Sequence, residues 1–342
     1  MLIRKREYLA LIYFISRIFF LGIGFTSMYH YSKKDTWISM ILGYLLGNIF
    51  IYLYDNISIK TNYNILNFLN KKTIISKIYK LLFFIIYFSL LTVASIIFTN
   101  FVKVYYLFDT PIWATMFLLF AVCYYGSVKN EHTIIRAAFI LLPVSIFLVT
   151  LNFTLLTPII NPTNFLPILT TSSTNIITSS LIFAILTTLP NILLLDYKIA
   201  SKSKYISYAF VALTIFLINF FITSILGEYL ISNYSYPEYM VLRRIRFLDF
   251  IENIENFASI LWYFDVFIII TLTLTKLRKL FIRRKTKLII PTFLIIISIL
   301  SSIIFTNYFK ALNLVFEKST LLFGIFLLLT TFILNIAIKD KK

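Results

Sequence analysis

Uncharged apolar runs of roughly 20 residues recur along this chain, the length an α-helix needs to cross a hydrocarbon layer about 30 Å thick. Inside such a layer every backbone N–H and C=O must find a partner within the protein, which leaves helices or a closed barrel, and runs of this length select helices. The runs fall at 8–29, 36–54, 79–108, 112–128, 133–155, 176–197, 205–226, 257–275, 288–306 and 320–338. They predict an all-α polytopic membrane protein with ten transmembrane helices, forming a single integral membrane domain over 1–342. The third run is long enough to tilt strongly or to extend beyond the bilayer, and the fourth is near the lower limit. Composition agrees, with 60% hydrophobic and 13% charged residues, where a soluble domain carries about a quarter charged. The 36 Phe and 23 Tyr exclude a disordered chain. A single cysteine, Cys123, excludes a disulfide framework or a multi-thiolate metal site, and reads as a small buried apolar residue.

The net charge of +18 needs an explanation. If the N-terminus is cytoplasmic, the inner side holds Arg4, Lys5, Arg6, Lys60, Lys71, Lys72, Lys77, Lys80, Lys129, Arg136, Lys198, Lys202 and Lys204, together with the basic cluster over 276–287 and the tail Lys339, Lys341 and Lys342. The outer side holds only Lys33, Lys34, Lys103, Arg243, Arg244, Arg246, Lys310 and Lys318. This asymmetry is the positive-inside rule, and it puts both termini in the cytoplasm. The excess is therefore a topology signal rather than a nucleic-acid footprint. The first run follows a basic segment, as a signal peptide would, but its length, its internal Arg17 and the lack of a small-residue cleavage site point to a retained span. In the outer connection after the seventh run, Val241, Leu242, Ile245, Leu248, Ile251, Ile254 and Ala258 recur at helical spacing, which predicts an amphipathic helix running into the eighth span.

Signatures of catalysis are absent. There is no Gly-rich phosphate loop and no His-Glu-x-x-His, and the two histidines, His30 and His132, fall on opposite sides of the membrane. His132 and the adjacent Glu131 read as a solvated surface pair. No enzyme, cofactor or metal site is expected.

The informative residues are those a span should avoid. Ionisable groups at bilayer depth are costly and face a partner or a water-filled path. Arg17 and Asp265 stand about halfway along the first and eighth spans with opposite charge. Two readings stand: a buried pair linking two helices, or an Arg17 that reaches the inner surface with Asp265 lining water. A second feature is interruption. Leu21-Gly22-Ile23-Gly24-Phe25 breaks the first span and Thr187-Thr188-Leu189-Pro190-Asn191 the sixth. Ten spans divide into two sets of five, 1–155 and 176–338, and because five is odd the second set runs inverted. The breaks then occupy equivalent positions, the pattern of a midplane site where unwound backbone binds a small polar ligand. Gly22, Ile23, Gly24, Phe183, Thr187 and Thr188 are the candidate ligand residues. Gly43 and Gly47 mark a close helix contact, Pro143 a kink, and Asn100, Asn152 and Asn219 either a path or interhelical hydrogen bonds.

Scattered motifs, in order along nearly the whole chain, carry a resemblance. They are Leu21-Gly22-Ile23-Gly24, Lys34-Asp35-Thr36-Trp37-Ile38-Ser39, Asp109-Thr110-Pro111, Tyr125-Gly126 through Arg136 to Pro143, Asn164-Phe165-Leu166-Pro167-Ile168-Leu169, and Tyr236-Pro237 followed by 250–255 and Trp262. Together these resemble the endospore germination permeases, the GerAB-like B subunits of nutrient germinant receptors, within the amino acid, polyamine and organocation transporter superfamily. Departures include Asn130 and Glu131 between Tyr125 and Arg136, Asn253 in place of an Arg, and a missing Gly after Leu169. The resemblance implies a five-plus-five inverted repeat like that of the leucine transporter. It also implies sensing of a small germinant such as an amino acid in the spore inner membrane, with an A-type membrane subunit and a C-type lipoprotein as partners. The alternative is a proton-coupled secondary amino acid transporter working through Asp265, and a third is a structural subunit that binds no ligand.

Overall fold

The structure is a computed structural model that describes residues 1–71, 73–245, 254–281, 284–306 and 333. Twelve α-helices make up the described part: α1 (Lys5–Arg17), α2 (Ile23–Ser32), α3 (Thr36–Lys60), α4 (Ile65–Leu69), α5 (Ile74–Tyr105), α6 (Ile112–Val128), α7 (Glu131–Leu156), α8 (Ser173–Thr188), α9 (Ser201–Asn233), α10 (Pro237–Leu242), α11 (Ile254–Leu280) and α12 (Arg284–Thr306). Among the described residues there is no strand, only an isolated bridge between Leu2 and Lys198. Local chemistry sets many of the boundaries. Glu7 accepts the Arg4 amide at 2.8 Å at the start of α1, and the side chains of Asn64, Thr73 and Ser172 cap α4, α5 and α8. Pro111 precedes α6 and supplies no amide where none is needed.

Six helical stretches are long and apolar enough to cross a membrane: Ile23–Lys60, Ile74–Tyr105, Glu131–Ile159, Ser173–Leu194, Ser201–Asn233 and Ser259–Leu280, with Ile112–Val128 and Ile289–Ile304 as shorter apolar helices. Large apolar side chains such as Leu45, Ile49, Phe117, Leu118, Ile140, Phe147 and Leu213 point outward. A soluble monomer avoids a belt of this kind, whereas lipid tails cover it. The expected run 320–338 lies outside the described residues apart from Ile333.

Both sequence breaks are breaks in the chain's helices. After α1 the chain tightens into a 3-10 turn, Ile18–Phe20, and turns at Leu21 and Gly22 before α2 begins. Gly22 has φ +71°, a left-handed conformation that side chains oppose. At the end of α8 the backbone tightens into a 3-10 segment, Leu189–Leu194, at Pro190. A third interruption lies within α9 at Gly227, φ +70°, just past the expected end of the seventh run at 226, and the helix resumes beyond it to Asn233. The amphipathic helix expected over 241–258 is not continuous. α10 ends after Leu242 in turns at Arg243 and Arg244, and α11 starts at Ile254, while 246–253 lie outside the described residues. Val241 and Leu242 are buried, because α10 is inserted between α9 and α11 and does not lie over them.

The α1 helix is the centre of the bundle: from Ala10 to Ile15 its side chains are buried all round, with α7, α8, α9 and α11 against it. The most extensive helix pair is α3 with α8. Gly43 permits it, since a Cβ there would lie 2.7 Å from the Ser180 carbonyl oxygen and 2.8 Å from the Phe183 ring, while Gly47 lets α3 approach α9, where a Cβ would collide with the Tyr208 hydroxyl. Substituting Gly43→Val therefore forces α3 and α8 apart. The expected cost is about 1–3 kcal/mol, read as a lowered thermal unfolding midpoint of the purified chain in detergent. An unchanged midpoint contradicts this close packing.

Candidate functional site

Arg17 is the last residue of α1, one turn before the first break. Its Nε donates to Asp265 Oδ2 and its Nη2 to Asp265 Oδ1, both at 2.9 Å, a two-pronged pairing between α1 and α11. Nη2 also donates to the Leu261 carbonyl at 3.5 Å, and Nη1 donates to Ser145 Oγ at 3.2 Å and to the Tyr13 hydroxyl. Arg17 is 5% exposed and Asp265 not at all. The structure thus brings together the two span charges, and it surrounds the guanidinium with enough acceptors for a desolvated cation.

The break beside them is held from outside the first span. The Gly22 amide, which has lost its helical acceptor, donates to Glu238 Oε1 at 2.6 Å. The Gly22 carbonyl accepts from Thr26 through its amide, 3.2 Å, and its hydroxyl, 2.7 Å. A Cβ on Gly22 would lie 2.8 Å from both the Ser235 carbonyl oxygen and the Tyr236 ring, so the break and the start of α10 fit only with glycine there. Tyr236 is fixed in turn by Asn100, whose Nδ2 donates to its hydroxyl at 2.7 Å, and by ring contacts with Phe101 and Tyr105. Glu238 is 6% exposed, and its Oε2 has no hydrogen-bond partner among the described residues. Burial pushes its carboxyl up to about 8, against the opposing effect of hydrogen bonds from its own amide and that of Gly22.

A cavity of about 70 Å³ adjoins the break. Arg17, Phe20, Leu21 and Phe25 form one wall and Glu238 and Trp262 part of the other, with apolar residues of α7, α9, α10 and α11 closing it. Asn152, one of the three asparagines noted in the sequence, also lines it. Of the candidate ligand residues, Gly22 adjoins this space through its Glu238 contact. Ile23, Gly24, Phe183, Thr187 and Thr188 are buried and do not line it. A Cβ on Gly24 would lie 2.6 Å from the Phe19 carbonyl oxygen, so this glycine is needed for the bend itself. The Phe183 ring packs on Phe20, 5.6 Å between centroids, and joins the break to the sixth-span helix. The Thr187 and Thr188 hydroxyls donate to α8's own carbonyls, at 2.8 Å to Phe183 and 2.6 Å to Ala184, while the Thr187 carbonyl accepts from Ser16 Oγ at 2.9 Å. The two breaks therefore touch through Ser16, Phe20, Phe183 and Thr187. Glu238 carries no sequence signal of burial, since it reads as one more charge in an outer connection; its neighbours Tyr236 and Pro237 were its only marker.

Further ion pairs corrected the surface reading of Glu131. Beside an exposed His132, Glu131 is 8% exposed, with Oε1 3.3 Å from Lys276 Nζ and Oε2 2.8 Å from Lys279 Nζ. Lys276 also donates to Asp196 Oδ2 at 3.1 Å. The correction has a simple cause: α7 starts against the last turns of α11, so its first residue meets that helix's lysines. A separate pair, Lys204 with Asp55 at 2.7 Å, is buried where α9 starts beside α3. Asn219 is buried with neither side-chain polar atom partnered among the described residues, and Cys123 is a buried free thiol.

Removing either member of the Arg17–Asp265 pair strands a buried charge. Arg17→Met and Asp265→Leu are each expected to lose about 3–5 kcal/mol, and the double variant to recover most of that loss. Thermal unfolding of the four chains in detergent measures this, and a double variant as unstable as the sum of the singles contradicts the coupling.

Two motif segments far apart in sequence also meet. Asp35 accepts from the Leu169 amide at 2.7 Å and from the Thr171 amide and hydroxyl at 3.0 and 2.8 Å, and Lys34 donates to the Leu166 carbonyl at 2.7 Å. A comparison with curated proteins finds no match. The family model described as "Spore germination protein" matches residues 9–310, a stretch that includes both helix breaks, the Arg17–Asp265 pair and Glu238. By that match over most of its length, together with its apolar helical architecture, the chain is an integral membrane protein that belongs to the spore germination permease family.

Proposed function

We propose that this chain is the ligand-sensing membrane subunit of a spore germinant receptor, binding a small nutrient such as an amino acid beside the first-helix break and signalling germination. The observation that carries this reading is the cavity at the break, walled by a buried ion pair on one side and a buried carboxyl on the other, in a chain of a germination family. Ten spans in two inverted sets of five, with both termini cytoplasmic, fit the charge asymmetry, and the spore inner membrane fits the family. The partners in this reading are an A-type membrane subunit and a C-type lipoprotein. Gly22, Ile23, Gly24, Phe183, Thr187 and Thr188 act mainly by shaping the two breaks so that ligand occupancy is felt across both. Occupancy shifts the equilibrium between open and closed arrangements only by the difference in affinity for the two.

A bulky side chain in the cavity tests the reading. Spores carrying Val149→Phe, which lines the cavity from α7, should lose their response to single amino acids by at least about tenfold in effective concentration, equivalent to about 1.4 kcal/mol, while immunoblots show the chain still in the membrane. An unchanged dose-response rejects the cavity as the sensing site. The second reading, a proton-coupled amino acid transporter, is favoured by the ionisable pair Arg17–Asp265 at the centre of the bundle. Uptake of labelled amino acid into proteoliposomes holding only this chain would support it.

A further inference from the structure

The polar atoms around the cavity are unevenly satisfied. Arg17 has all three guanidinium nitrogens donating to Asp265, Tyr13, Ser145 and Leu261, so it offers no free donor, and its charge is cancelled by Asp265. Glu238 differs, because Gly22 takes Oε1 and no described residue takes Oε2. A buried carboxylate oxygen without a donor costs free energy that a ligand can recover. Apart from the Asn152 amide, the remaining walls are apolar, with Phe20, Phe25 and Trp262 suited to an apolar body and to aromatic contact with a cation.

We propose that Glu238 is the polar anchor of this cavity, and that the site takes small ligands presenting a protonated amine on a short apolar body, the ammonium donating to Glu238 Oε2. The proposal rests on the cavity being the ligand site. An anionic ligand is disfavoured, since its charge would face Glu238 with the nearby cation already engaged. Amino acids qualify through their ammonium group, and simple amines qualify equally. The titratable and charged groups around Glu238 are Tyr236 next to it, Tyr105 of α5, Arg243 at the end of α10 and, across the cavity, Arg17 with Asp265. Burial holds the Tyr236 phenol well above its usual range, so the proton on Glu238 controls binding over the neutral range. An ammonium needs the ionised carboxylate, so binding a cation expels the Glu238 proton. With that carboxyl at about 8 in the empty site, affinity for an amine should rise about tenfold per pH unit below 8 and level off above it.

The three tryptophans allow a local readout. In the full chain carrying Trp37→Phe and Trp113→Phe, Trp262 in the cavity wall is the sole tryptophan, and its fluorescence reports occupancy. Isobutylamine, isobutanol and isobutyric acid are titrated at several pH values in detergent. The expected result is saturable quenching by isobutylamine, strengthening from pH 6 towards 8, with isobutyric acid at least about tenfold weaker. Glu238→Gln keeps an acceptor for the Gly22 amide, so it should fold as the parent does, lose isobutylamine affinity at least about tenfold and lose the pH dependence. Equal binding of the acid and the amine, or amine binding unaffected by Glu238→Gln, overturns the proposal. Should Val149→Phe abolish the spore response while isobutylamine leaves Trp262 unchanged, the ligand class is wrong and the receptor reading survives. Amine binding together with a normal Val149→Phe spore response supports the amine site and rejects the cavity as the germinant sensor.

Discussion

In an apolar interior, a backbone amide or carbonyl that leaves a helix must find a partner elsewhere in the protein. The three interruptions described above are each resolved in that way, and each solution ties distant segments together. The Gly22 amide is taken by Glu238 of α10. The Thr187 carbonyl at the end of α8 is taken by the Ser16 hydroxyl of α1, near the point where Pro190 supplies no amide. The Ser224 carbonyl, preceding the kink at Gly227, accepts from the Asn161 amide at 3.1 Å and from Asn164 Nδ2 at 2.8 Å. The breaks are therefore joints between elements, and the cavity opens where one of them leaves space.

Charge follows the same logic. Among the described residues, each buried cation has a carboxylate beside it: Arg17 with Asp265, Lys204 with Asp55, and Lys276 between Asp196 and Glu131. Such pairs contribute little net stability over apolar side chains of the same volume, but breaking one is costly, so they lock helices in register. Glu238 departs from these pairs: like Asp35 it holds a backbone amide, but its second oxygen has no partner among the described residues and adjoins the cavity. That imbalance, next to open space, separates a candidate ligand site from ordinary structural ion pairs. The Lys276 cluster lies about three turns along α11 from Asp265, so one helix carries both the central pair and the network at its far end.

How much was legible in the sequence varies by element. The apolar runs located the helices because a membrane span demands length and the absence of charge, and both are properties of consecutive residues. Gly22 and Pro190 announced their breaks because glycine and proline act on their own backbone. The seventh run was read as ending at Leu226, next to the break at Gly227, but the helical turns that resume from there to Asn233 were missed, because their Glu228, Ser232 and Asn233 carry no apolar run. The amphipathic pattern over 241–258 misled for a different reason: periodicity records which face is apolar, and burial of α10 between two helices leaves the same trace as a surface helix would.

The sequence alone determined the membrane-type helical architecture, the family, the positions of two breaks and the presence of two opposite charges at span depth, since each is encoded in a local run or motif. Tertiary structure decided that Arg17 meets Asp265 across 248 positions of chain, that Glu131 is buried, and that Glu238 closes the first break. These depend on which helices pack together, and in a chain whose helix surfaces are almost uniformly apolar, hydropathy does not distinguish one neighbour from another. The choice rests on a few glycines, hydroxyls and charges whose partners lie far away in sequence.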